Sequence, residues 1–225
     1  MNTVSAMLKN IKTLPLFIGL VVLFVGACKQ DDYYVDGGKA QAKFDGNIMQ
    51  YLESKPVFDS VVQVIKLAGL EDTLANQQVT FFAPTNNNIR LTVFMLNQDL
   101  FMQNKDTIKT LDEIDPLIWR KHLLRYMFRG ANLLKDYPQL DYSLEAIYPG
   151  QNYYSLGNTV SRIGVVYNDQ NGVRYVGYRQ LVISYIANLS QQNTGRIRAA
   201  VASSDIQPQN GVVHVLAWGG FVNGG

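Results

Sequence analysis

One cysteine and two histidines narrow the chemistry that this 225-residue chain can carry. A single thiol excludes a disulfide framework within the chain and a cysteine-rich zinc site. His214 alternates with Val212 and Leu216 in an apolar strand pattern, which suits a buried, hydrogen-bonded imidazole. His122 stands among Arg120, Lys121 and Arg125, a pattern expected on an exposed helical face. Neither histidine has partners at a diagnostic metal-ligand spacing. Asp112, Glu113 and Asp115 cluster, but a calcium loop needs more oxygen ligands in order. They suit the positive end of the helix that follows. No nucleophile elbow or phosphate loop is present, and no carboxylate pair stands out for glycoside hydrolysis. The reading therefore assigns no catalytic residue, no metal and no cofactor, and an enzyme is the least favoured class.

The cysteine has a different use. Met1 to Lys12 is polar and carries Lys9 and Lys12, and the 14 residues Leu14 to Ala27 are uncharged and mostly apolar. A spanning helix needs about 17–25 residues, so this segment reads as a secretory signal over residues 1–27. Val25-Gly26-Ala27-Cys28 resembles a bacterial lipobox, with valine where leucine is commoner. That resemblance implies that Cys28 is acylated and becomes the first residue of the mature chain. Two or three acyl chains anchor where one does not. The acidic pair Asp31-Asp32 then resembles an export signal to the outer face of the outer membrane, although a solvated tether would have the same composition. The expectation is an outer-membrane, lipid-anchored, surface-exposed protein. Lys and Arg total 20 against 18 acids, and without Lys9 and Lys12 the balance is even. A neutral body argues against nucleic-acid binding, which rests on neutralising phosphates.

Tyrosine is the other chemically informative residue. Ten of the 13 tyrosines fall between Tyr126 and Tyr185. Tyrosine fits a pleated, half-buried surface, and exposed tyrosines form amphipathic recognition platforms. Tyr148, Tyr153 and Tyr154 flank Pro149-Gly150 in an expected loop, so they are the candidates for stacking on a sugar ring or a partner protein. Structural use of the same residues is the competing reading.

The elements that must position these residues follow from pattern. Residues 28–43 contain Gly37-Gly38 and read as a flexible tether; residues 44–225 read as one domain. Ile48 to Glu53 suggests a short helix, and Pro56 opens a second. Its stripe is Phe58, Val61, Val62, Ile65 and Ala68, and Gly69 stops it with Leu70 packing back. Val79 to Ala83 is a compact buried-strand pattern ended by Pro84. Thr85 and Asn86 are expected to cap a helix over Ile89 to Leu96. Asp115-Pro116 opens another, whose face would carry Trp119, Leu123, Tyr126 and Met127 as far as Gly130. Thr159 to Tyr167 and Val173 to Tyr185 read as strands across a hairpin turn at residues 168–172. Ile197 to Ser203 and Val212 to Ala217 are two further strands. Helices first and strands later favour α+β.

Two of these segments carry a family resemblance. Val79-Thr80-Phe81-Phe82-Ala83-Pro84-Thr85-Asn86 resembles the first signature of fasciclin domains. Asp205-Ile206-Gln207-Pro208-Gln209-Asn210-Gly211-Val212-Val213-His214-Val215-Leu216 resembles the second. Leu123 to Gly130 is similar to the family's Tyr-His segment, with Met127 where the histidine would stand. The resemblance implies a fasciclin-like β-sheet wedge with several helices packed on one side. It also implies that Asn210-Gly211 makes a tight turn that delivers residues 212–216 into the sheet beside residues 79–83. By the same resemblance Tyr126, Asp205 and Ile206 are candidate binding residues. Core packing also explains Tyr126, and a turn cap also explains Asp205. The implied function is a non-catalytic, surface-anchored adhesion or protein-interaction module with an extracellular protein or glycan as partner. The alternative is an accessory glycan- or nutrient-binding lipoprotein of an outer-membrane uptake system.

Overall fold

Residues 43–191 and 197–217 are described by a computed structural model. The expectations for the signal, Cys28 and the tether up to residue 42 lie outside these residues. The first helix, α1 (Ile48–Glu53), starts at a capping box. The Asn47 side chain accepts from the Gln50 N–H at 2.9 Å, and the Gln50 side chain accepts from the Asn47 N–H at 2.9 Å. Two of the helix's orphan donors are thereby satisfied. Pro56 opens a 3₁₀ turn that runs into α2 (Asp59–Leu67). Gly69, at φ +62°, stops this helix, and the Leu70 N–H reaches back to the Ile65 carbonyl at 3.1 Å. From α5 (Pro116–Leu124), the Arg120 guanidinium donates to the carbonyls of Ala68 and Gly69. A cation on a helix C-terminus is favourable there.

After α3 (Glu71–Asn76) comes β1 (Val79–Ala83), buried along its whole length, with the Thr80 hydroxyl donating to the Gly130 carbonyl at 2.8 Å. Pro84 and Thr85 lead into α4 (Asn86–Met102), which is longer than expected. Its stop is Asn104 at φ +53°, with the Lys105 N–H bonded to the Leu100 carbonyl at 2.9 Å. Asparagine tolerates this left-handed position better than most residues. Asp115 caps α5 by accepting from the Leu117 N–H at 2.8 Å.

The expectation that α5 continues through Tyr126 and Met127 is overturned. The helix ends at Leu124, and Met127 to Arg129 form β2, paired antiparallel with β1. The apolar spacing at Trp119, Leu123 and Met127 suits a helix, but backbone pairing with a strand some 50 residues upstream wins. The tight hairpin at 168–172 is corrected too. Residues 168–178 form a longer loop that contains a small turn closed by Gln170 and Val173.

Four further strands precede the final one: β3 (Gln151–Tyr154), β4 (Val160–Tyr167), β5 (Arg179–Ile186) and β6 (Ile197–Ile206). With β7 (Gly211–Leu216) they complete a seven-stranded sheet in the order β2-β1-β7-β6-β5-β4-β3 among the described residues. The β1–β7 pair is parallel; the other neighbouring strands run antiparallel. The first part of β6 pairs with β5, and its second part pairs with β7. Register shifts between Val201 and Ile206 separate the two parts, and such irregularities bend a strand. All seven strands thus belong to one mixed sheet, whose two parts are joined through β6. One hydrophobic cluster links helices and sheet, with Phe58, Phe81, Phe82, Trp119, Leu123 and Met127 fully buried.

Both signature segments act as fasteners in this fold. Asn86 accepts from the Ser60 N–H at 2.8 Å and donates to the Pro56 carbonyl at 2.7 Å, tying the exit of β1 to the start of α2. Asn210 accepts from the Ile48 N–H at 2.8 Å and donates to the carbonyls of Leu74 and Gln77, each at 2.9 Å. It therefore holds the start of α1, the end of α3 and the entry to β7 together. Gly211 pairs with Val79, and a Cβ there would overlap the Val79 carbonyl. The parallel register Val79↔Gly211 to Ala83↔Val215 places β7 beside β1, as the resemblance implies.

Candidate functional site

The sequence candidates separate into a buried group and an exposed group. Tyr126 and Ile206 are buried, so neither presents a side chain to a partner in this fold. Burial pushes the Tyr126 hydroxyl up to about 12. Asp205 sits at φ +61° in the irregular part of β6 and accepts from the Leu134 N–H at 2.7 Å. Its own N–H donates to His214 Nδ1 at 3.2 Å, and His214 Nε2 lies 3.0 Å from the Asn132 carbonyl. An accepting Nδ1 and a donating Nε2 fix the neutral tautomer. Burial pushes the His214 pKa down to about 4. Phe82 and Tyr137 close this cluster against the imidazole, whose two ring nitrogens are both engaged within the core. His122 departs from expectation: it is partly buried, and burial first, then Arg125 and Lys121, push its pKa down to about 4.

Tyr153 and Tyr154 lie in strand β3, not in a loop. A pleated strand sends neighbours to opposite faces. Tyr153 turns to the core and meets Tyr137 edge-on at 5.4 Å, while Tyr154 is 72% exposed. Tyr148 packs edge-on against Tyr175 at 6.0 Å. The three candidates therefore do not form one platform.

The structure assembles a different surface. The segment after Leu140 crosses the outer face of β4, and Gly164 makes the crossing possible. A Cβ at Gly164 would lie 2.6 Å from that of Leu140. Arg162 on β4 pairs with Glu145 at 3.6 Å, and Arg198 on β6 stacks over the Tyr142 ring at 4.0 Å. Beside this crossing, the loop 168–178 closes a cleft of about 290 Å³ lined by Asp141, Tyr142, Tyr167, Asp169, Arg174 and Tyr175 among others.

Three features hold the cleft in shape. Tyr175 has φ +65°, an uncommon conformation for an aromatic residue. Its N–H donates to Asp169 at 3.0 Å, and its hydroxyl donates to Asp141 at 2.7 Å. Asp141 also accepts from the N–H groups of Ser143 and Leu144. The Tyr175 hydroxyl foremost, then the Ser143 N–H, hold the Asp141 carboxyl below the usual carboxylate range; the same bond raises the Tyr175 pKa. Arg174 stacks on Tyr175 at 5.1 Å and approaches Asp141 at 3.4 Å, and Arg179 stacks on its cross-strand partner Tyr167 at 4.5 Å. Sequence reasoning found the tyrosine density but missed Asp141, Arg174 and Tyr175. The Asp141-Tyr142-Ser143 turn and Asn171-Gly172 were the available signals, and the loop between them is longer than a hairpin turn.

A second exposed apolar surface lies on α4, where Phe94, Phe101 and Met102 face outward. Among the described residues no group of three or more His, Cys, Asp or Glu side chains is placed to hold a metal, and no helix is long and apolar enough to cross a membrane.

Comparison with known proteins gives a family match over most of the described chain. The fasciclin domain model matches residues 56–217. Sixteen chains of solved structure match. One, described as a FAS1 domain pair from the insect cell adhesion molecule Fasciclin I, is 17% identical with a TM-score of 0.46. The alignment covers 76% of this chain and 49% of that one, so this chain spans about half its length. No curated protein matches.

Proposed function

This chain belongs to the fasciclin domain family, and from that premise we propose that it is a non-catalytic adhesion or interaction module. Its recognition surface is the tyrosine- and arginine-rich outer face of β3 to β6, with the 168–178 loop at one end. The observation that carries this reading is the exposure of Tyr154 on β3 and Tyr178 in the loop, together with arginines stacked on Tyr142 and Tyr175. Aromatic residues and arginine are enriched at interfaces because they bring large, fairly rigid contact area with a polar handle. The signature residues, by contrast, are spent on the fold: Asn86 and Asn210 are engaged with backbone groups, and Ile206 is buried.

The lipobox and the acidic pair extend the proposal. Acylated Cys28 anchors the chain to the outer membrane and the tether presents the domain at the cell surface. Cys28→Ser should abolish acyl labelling and release the protein from membranes. Protease applied to intact cells should remove the domain, whereas protection until the outer membrane is broken would put it on the periplasmic side. An accessory role in glycan or nutrient uptake is the second reading, favoured by the polar, aromatic lining of the cleft.

Photo-crosslinking tests the recognition surface. A crosslinking residue replaces Tyr154, Tyr178 or, as a control on another face, Lys66 in the full chain in its native envelope. Adducts are expected from positions 154 and 178. Adducts from position 66 alone, or from none of the three, would overturn the reading.

A further inference from the structure

We propose that the cleft between the Asp141–Ser143 turn and the 168–178 loop is a binding subsite for an acidic saccharide, a sugar ring carrying a carboxylate. This inference rests on the recognition reading above and names its ligand class. The cleft volume of about 290 Å³ stands at the small end of ligand pockets, which run from about 300 to 1,000 Å³. Small-molecule pockets are mostly apolar; this one is not. Carboxylates, an amide and a guanidinium alternate with flat tyrosine rings, and the aliphatic lining is Leu140 and Val166. Alternating donors and acceptors suit a polyol, and a ring face suits the C–H face of a pyranose.

Charge selects among sugars. Arg174 is the guanidinium of the cleft lining, beside Asp141 and Asp169, while Arg179 and Arg198 stack on the Tyr167 and Tyr142 rings from outside the lining. Arg174 is the cation at the mouth: its side chain is 57% exposed, and its contact with Asp141 is long, at 3.4 Å. A guanidinium presents a planar fork that matches a carboxylate in bidentate fashion. Asp141 is the positioning residue. It is engaged with two backbone N–H groups and the Tyr175 hydroxyl, so it fixes the ring and the loop and leaves Arg174 to turn toward a ligand.

Pre-organisation is the further mark of a site. A left-handed tyrosine is strained and persists where its surroundings over-determine it, and such residues cluster at ligand clamps. Tyr175 is fixed at both its N–H and its hydroxyl.

The test uses the full chain in detergent, titrated with short oligosaccharides of galacturonate, glucuronate and mannuronate and with their neutral counterparts. The expected result is binding of at least one acidic series, about tenfold or more above its neutral counterpart, weakening with salt. Arg174→Gln should cost about tenfold on the acidic sugar and collapse the acid-to-neutral ratio. Tyr175→Phe should weaken acidic and neutral sugars together and leave that ratio intact, which separates positioning from contact. Lys66→Ala, on another face and outside the recognition surface, should change neither. Equal affinity for acidic and neutral sugars, no binding of either, or acidic binding untouched by Arg174→Gln would each overturn the proposal. Crosslinks at positions 154 and 178 without sugar binding would remove this ligand and leave the recognition surface standing. Sugar binding without crosslinks would do the reverse.

Discussion

Replacing Asn210 tests whether the second signature segment is a structural fastener. Its carboxamide accepts one hydrogen bond and donates two, linking α1, α3 and β7. The bonds to Ile48 and Leu74 are part-buried, and the bond to Gln77 is exposed. Each bond contributes about 1 kcal/mol, and a buried group left unmatched costs more, so Asn210→Ala should cost about 3 kcal/mol in all. For a domain of this size, 1 kcal/mol moves the Tm by about 2–4 °C. The expected shift is therefore roughly 6–12 °C downward in a thermal melt, with urea unfolding as the second readout. Asn210→Asp sharpens the test. It keeps the acceptor for the Ile48 N–H but sets a carboxylate against the carbonyls of Leu74 and Gln77. Its folded-state pKa is then raised, so its stability relative to Asn210 is best below the unfolded value of about 3.9 and is lost as pH rises through the folded value. The gap between the Asp variant and the parent should widen toward pH 7. A shift below about 2 °C for the alanine variant, or a gap that does not change with pH, would refute the fastener argument.

Three further outcomes follow from the same geometry. His214 and His122 each titrate near pH 4 when folded and near 6.5 when unfolded, so between these values protons favour the unfolded chain. Urea unfolding should show stability falling as pH drops from 6.5 to 4, by up to about 3 kcal/mol for the fully buried His214 and less for His122; a flat profile would contradict the neutral, buried imidazole. Gly211→Ala places a Cβ against the Val79 carbonyl and Ile48, and should cost about 3 kcal/mol or prevent soluble expression, whereas a parent-like melt would show that β1 and β7 can separate. Tyr126→Ala should cost about 3–5 kcal/mol as a core truncation, while Tyr154→Ala should stay within about 0.5 kcal/mol, both measured by urea unfolding.

Local chemistry made much of the fold legible. The α1 span, the stop at Gly69, the β1 strand and the Asp115-Pro116 start are each set within a few residues by a cap, a glycine or an apolar run. The adjacency of β1 and β7 came from the resemblance, since no local pattern shows a pairing of about 130 residues' separation, and the structure supplies its parallel direction. Met127 was misread for that reason too: its spacing from Leu123 suits a helix until β1 supplies a partner. The candidate site was less legible. Tyr148, Tyr153 and Tyr154 lie close in sequence, but strand pleating and the Tyr148–Tyr175 contact send them to different surroundings. Asp141 is more than 30 residues from Arg174 and Tyr175, and meets them because the 168–178 loop turns back against the Asp141–Ser143 turn. Composition named the region, and tertiary structure chose the residues.

Hydrogen–deuterium exchange of the full chain in its cellular setting, compared with the purified chain, tests the recognition surface most directly. If the recognition surface is engaged, the amides of residues 141–148 and 168–178 should exchange more slowly in the cellular setting, while α4 is unchanged. Unchanged exchange in both segments, or protection confined to α4, would contradict the account.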